Sequence, residues 1–68
     1  MKFKYGDRVK VINGFFEDLR GYTVDFDEES NTYHCELSGV RCNQHTSTVA
    51  WVKEEDLELL YRGRKEFE

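Results

Sequence analysis

The sequence predicts an all-β domain: one small barrel of five short strands, with a short 3-10 turn before the last of them. Three observations lead there. Apolar and polar residues alternate with a period of two in several short runs, as half-buried strands do. Turn-forming residues separate those runs. The one stretch with helical spacing, residues 53–61, is too short to stand as a helix by itself.

The elements follow in order. Gly6-Asp7 turns the chain into Arg8-Val9-Lys10-Val11-Ile12, where charged and β-branched residues alternate, and Asn13-Gly14 ends that run. A loop carrying Phe15, Phe16 and Leu19 leads to Gly21 and a second alternating run, Tyr22 to Phe26. Residues 27–31 are polar and fit a hairpin loop. Thr32 to Leu37 resumes the alternation, with Tyr33, Cys35 and Leu37 on one face. Residues 38–47 hold Gly39, Asn43 and two serines and predict a long loop. Thr48 to Lys53 is a strand around Trp51; Glu54-Glu55-Asp56 is the 3-10 turn; Leu57 to Leu60 closes the fold. The domain therefore spans residues 1–61, and the charged tail 62–68 is expected to fray. The expected core is Val9, Val11, Val24, Cys35, Leu37, Val52, Leu57 and Leu59.

At 68 residues this is one domain with a thin core. Ten aromatic residues compensate, because each buried ring removes a large area from water. The net charge is −4, whereas a domain that lives on phosphate contacts usually has a basic face. The charge is uneven: Lys2, Lys4, Arg8 and Lys10 gather near the start, and Asp25, Asp27, Glu28, Glu29 and Glu36 follow with no cation among them. The sequence contains no apolar run long enough to span a bilayer and no signal-peptide pattern at its start. The expected setting is cytoplasmic, where Cys35 and Cys42 stay reduced, and the expected state is a monomer.

Gly6-Asp7-Arg8-Val9-Lys10-Val11, then Gly14, Phe16, Asp18 and Gly21, resembles the KOW motif, and most closely the C-terminal KOW domain of NusG-type transcription elongation factors. Trp51-Val52 followed by Glu-Glu-Asp-Leu is similar to the fourth strand, 3-10 turn and fifth strand of SH3-like barrels. Together the two stretches cover about half of the 68 residues. The resemblance implies a five-stranded SH3-like barrel whose first loop contacts transcription or translation proteins, or RNA. Three departures stand out. Thr23 occupies a place where the family has an aliphatic residue, with Val24 one step later. The first loop carries Glu17 and Asp18, with Arg20 its one basic neighbour. The segment 38–47 is longer and more polar than the motif needs.

Cys35, Cys42, His45 and His34 are the candidate zinc ligands. His34 and Cys35, adjacent on a strand, point to opposite faces, which leaves three ligands for a four-ligand site. No metal or cofactor is expected, and Cys35 reads as a core thiol. The carboxylates of residues 25–29 read as a solvated strand end and hairpin. No nucleophile motif or phosphate loop accompanies them, so the chain is not expected to be an enzyme.

The functional expectation is a non-catalytic binding module for another protein, linked to the transcription or translation machinery. Its contact residues are expected to be Phe15, Phe16, Leu19, Tyr22 and Trp51, residue types that include those enriched at binding hot spots. Within the loop, Phe16 is expected to pack down and Phe15 to stay exposed. The alternative is RNA or single-stranded nucleic acid held by Lys2, Lys4, Arg8, Lys10 and Arg20, with aromatic stacking. Two further readings are an acidic, nucleic-acid-mimicking inhibitor of phage type and an aromatic cage for methylated lysine.

Overall fold

The computed structural model describes residues 3–62. Five antiparallel strands form one sheet: β1 (Arg8–Val11), β2 (Arg20–Asp27), β3 (Thr32–Arg41), β4 (Gln44–Lys53) and β5 (Leu57–Tyr61), with a 3-10 turn at Glu54–Asp56. Their order in the sheet is β4-β3-β2-β1-β5. The all-β class, the strand number and the turn before the last strand agree with the sequence. The sheet curls around its core without closing, because β4 and β5 are its two edges and do not pair with each other.

Four strands supply the buried cluster: Val9 and Val11 from β1, Tyr33, Cys35 and Leu37 from β3, Val52 from β4 and Leu57 from β5, joined by Phe3 and Leu19, while β2 packs the partly buried Phe26 against it. Phe3 and Tyr33 meet edge-on, with ring centroids 5.1 Å apart. The buried Tyr33 hydroxyl accepts from the Phe3 N–H at 3.0 Å and donates to a Glu54 carboxylate oxygen at 2.7 Å, so its polar end costs little to bury. Val24 and Leu59, expected in the core, are only partly buried.

The reason for Val24 lies in the register of β2. The β2–β3 pairing shifts between Thr23 and Asp25, a bulge that leaves Val24 without a partner. Thr23 stays on the inner face and is buried, and its hydroxyl donates to the Lys4 carbonyl. A threonine therefore serves where the motif has an aliphatic residue, because its one polar group is satisfied. Gly21 is required by close approach: a Cβ there would run into the backbone carbonyl of Glu36 on β3.

Residues 38–47 are not a loop. β3 and β4 continue through them as a ten-residue hairpin, paired in register from Thr32↔Lys53 to Arg41↔Gln44. Cys42 and Asn43 form the two-residue connection with φ of 52° and 63°, the left-handed pair that a type I′ turn needs. The outer half of this hairpin carries small polar residues and Gly39 on its inner face, so it lacks the apolar alternation that marks a strand in sequence.

Arg62, the last described residue, donates its guanidinium to the Asp7 carboxylate at 2.8 Å. That carboxylate is buried and also accepts the Lys4 N–H at 2.9 Å. Residues 63–68 lie outside the described residues. Among the described residues no helix is long and apolar enough to cross a membrane.

Candidate functional site

The loop between β1 and β2 is built as a rigid support. The Asp18 N–H donates to the Val11 carbonyl and the Val11 N–H to the Leu19 carbonyl, each at 2.9 Å, which closes the base. The Glu17 N–H donates to the Gly14 carbonyl at 3.2 Å, making residues 14–17 a tight turn with Phe15 and Phe16 at its centre. Gly14 has φ of +93°, where a side chain is penalised. The Ile12 N–H donates to the Asp56 carbonyl at 2.8 Å, which ties the loop to the 3-10 turn.

This frame holds Phe15 out in solvent, 81% exposed. Phe16 packs against the core beneath it, with the two rings edge-to-face and 5.0 Å between centroids. Phe15, Phe16, Trp51, Lys53 and Asp56 line an open groove of about 240 Å³ between the loop, the end of β4 and the 3-10 turn. Trp51, 50% exposed, is positioned by stacking on His34 of β3, at 4.8 Å and 17°. Asp56 and Lys53 are the charged residues among the described lining, and Glu17, Asp18 and Glu55 are close neighbours of lining residues along the chain.

Three of the five expected contact residues thus come together: Phe15, Phe16 and Trp51. The other two do not. Leu19 is 0% exposed and belongs to the core, which corrects its reading as a contact residue. Asp18 takes φ of 77° just before it, and this reversal swings Leu19 inward. Tyr22 lies apart, on the outer face of the sheet. The Arg8 guanidinium sits 5.4 Å from its ring centroid. The Glu36 carboxylate, by its charge and by its hydrogen bond to the phenol, pushes the Tyr22 hydroxyl above its ordinary pKa. Lys53 and Asp56 were missed in the sequence because their part in the groove depends on the loop folding toward the turn.

The basic residues separate in the same way. Arg8 pairs with Tyr22, and Lys10 lies opposite Arg20, so three cations share the outer face of β1 and β2. Glu58 on β5 lies opposite Lys10 from the other side. Lys4 is exposed near the chain start, and Lys2 lies outside the described residues. The two cysteines sit far apart in role: Cys35 is in the core, where burial pushes its thiol up to about 12, and Cys42 is exposed at the hairpin turn. Among the described residues, no three His, Cys, Asp or Glu side chains converge as metal ligands.

No protein-family model matches the chain, and no curated protein matches it in sequence. The KOW resemblance therefore rests on the residues quoted for it.

Proposed function

We propose that this domain is a non-catalytic binding module that takes a protein partner at the Phe15–Trp51 groove. The observation that carries the reading is Phe15: a large apolar side chain held in solvent by a hydrogen-bonded turn, above a second aromatic ring. A flexible loop would shed such a residue, and a stability role would bury it. The partner's chemistry follows from the lining. It presents an apolar side chain to Phe15 and Trp51, with basic residues on either side to meet Glu17, Asp18, Glu55 and Asp56. By the KOW resemblance, that partner belongs to the transcription or translation machinery of a cytoplasm. Affinity capture compared quantitatively between the native chain and Phe15→Ala tests this. Partners lost with Phe15→Ala and kept with Tyr22→Ala support the groove; an identical set from all three refutes it.

A second reading is supported by the clustering of Arg8, Lys10 and Arg20 beside Tyr22 on the outer face. These residues, with Lys2 and Lys4, would hold RNA or single-stranded DNA through phosphates while the ring stacks on a base. Such binding weakens steeply with salt. A titration with an oligonucleotide at low and moderate salt decides it: no binding at low salt removes this reading.

A further inference from the structure

Among the described residues β4 is an edge strand, and the hairpin turn fixes which of its backbone groups face away from the sheet. The type I′ turn makes Arg41 and Gln44 the hydrogen-bonded pair that closes the hairpin. Hydrogen-bonded and non-hydrogen-bonded pairs then alternate along an antiparallel ladder, and the β3–β4 pairing contains no register shift. Gln44, Thr46, Thr48, Ala50 and Val52 therefore aim their backbone groups at β3. His45, Ser47, Val49 and Trp51 aim theirs away from the sheet.

Edges of this kind are normally blunted by charge, proline, a bulge or short length. β5, the other edge, is five residues long, carries Glu58 and pairs with β1 through a register shift. Apart from Lys53 at its last position, β4 has none of these guards. It is ten residues long, and from Gln44 to Val52 it contains no Asp, Glu, Lys or Arg, in a chain that is 35% charged. Its outer face also presents Val49 at 57% exposure beside Trp51.

We propose that this edge pairs antiparallel with β4 of a second copy, with the two-fold axis at Thr48. The uncharged stretch selects both occupant and register. Thr48 is its midpoint, so pairing about Thr48 lays the neutral segment upon itself over its whole length. A two-fold register centred nearer the C-terminal end of β4 brings Lys53 onto the partner's neutral strand, and one centred nearer the turn leaves part of that strand unpaired. A chain of net charge −4 repels its own copy in general, and this neutral strand is the longest surface where that repulsion is absent. The register also matches side chains. His45 of each copy falls opposite Trp51 of the other, on the outer face where His34 already stacks on that indole. Ser47 falls opposite Val49. The result is a continuous ten-stranded sheet with closed two-fold symmetry. Trp51 belongs to both surfaces, but Phe15 and Phe16 take no part in the pairing, so Phe15→Ala and Val49→Lys test the two readings separately. It departs from the monomer expected from sequence.

The test is the mass of the full chain in solution, by sedimentation equilibrium from micromolar to millimolar concentration. The native chain should approach twice the mass of one chain. Val49→Lys, which sets two cations beside the two-fold axis, should return it to the mass of one. Ser47→Pro should do the same, because it removes an N–H that points away from β3. Leu60→Lys, on the opposite edge, should leave the dimer intact. Thr48→Cys in a Cys42→Ser background should cross-link two chains under mild oxidation. Thr48 meets its own copy at a non-hydrogen-bonded position, where Cα atoms lie about 4.5 Å apart, within disulfide range. A native chain that is monomeric at every concentration overturns the proposal and leaves the edge to a foreign strand. So does a dimer that survives Val49→Lys, whose solvent-facing position keeps the fold intact by circular dichroism.

Discussion

Truncating Leu19 tests how the first loop is held. Leu19 is fully buried, yet it belongs to a loop rather than a strand, and its side chain fastens that loop to the core. It lies directly over Gly39 of β3: a Cβ added at Gly39 would stand 2.9 Å from Leu19 Cδ2. Leu19→Ala removes the buried methyls and leaves a cavity floored by backbone, which collapses poorly. The cost should fall in the upper part of the usual range, about 3–5 kcal/mol. A domain of this size has only about 3–10 kcal/mol in total, so the variant should be marginal, with a melting temperature lower by roughly 12–40 °C. Urea unfolding followed by far-UV circular dichroism measures this directly. A double-mutant cycle sharpens it. Gly39→Ala alone should destabilise, because its methyl crowds Leu19. In the Leu19→Ala background the same methyl should fill part of the cavity, giving a favourable coupling of about 0.5–3 kcal/mol. A loss below about 1 kcal/mol for Leu19→Ala, or strict additivity with Gly39→Ala, would show that Leu19 does not pack on β3 as described.

Five further outcomes are expected. Phe15→Ala should change stability by no more than about 0.5 kcal/mol, as exposed sites do, and a larger loss in urea unfolding would make Phe15 structural rather than a contact. Gly21→Ala should prevent folding or cost several kcal/mol, since the obstacle is the Glu36 backbone; a native-like amide spectrum would contradict the close approach of β2 and β3. Of the two thiols, Cys42 should react with a thiol reagent at once and Cys35 only on unfolding, which the kinetics of labelling separate. Because the Cys35 thiol is pushed up from its usual 9.0 to about 12 in the folded chain, its contribution to stability is constant below pH 9. It is then lost by up to about 1.4 kcal/mol per pH unit as the unfolded thiol ionises ahead of the folded one, and Cys35→Ala should flatten that alkaline decline. Glu36→Gln should bring the Tyr22 phenol back toward 10.0 in a titration followed by NMR, because the carboxylate charge that raises it is gone.

Much of the fold was legible because alternation and burial coincide there. Val9 and Val11, then Tyr33, Cys35 and Leu37, sit on the face that their spacing indicates. The acidic run Glu54–Asp56 forms the 3-10 turn expected of it. The distal half of the β3–β4 hairpin was illegible for the converse reason. It extends past the core, so neither face is selected for apolar residues, and its one sequence signal is the Cys42-Asn43 pair, in which cysteine is an unusual turn residue. Thr23 was misleading because a buried hydroxyl leaves no trace in hydrophobic patterning when its partner is the carbonyl of distant Lys4. The site was half legible. Aromatic content marked Phe15, Phe16 and Trp51, but composition cannot tell a side chain that leaves a loop from one that enters the core. That choice falls to the left-handed backbone at Asp18, and it took Leu19 inward.

The position of β5 has a consequence for how the domain is made. β2, β3 and β4 each pair with a strand next to them in sequence, so they can assemble as the chain emerges. β1 needs β5 on its other side, and nearly the whole described chain separates the two. Until Leu57 is available to cover Val11 and Arg62 reaches the buried Asp7, a nascent chain carries a half-built core with a second bare edge on β1. Pairings this distant in sequence form slowly. The interval between the emergence of Trp51 and that of Arg62 is therefore when the chain is most exposed to misassembly, and when a chaperone or a binding partner would have the most to offer it.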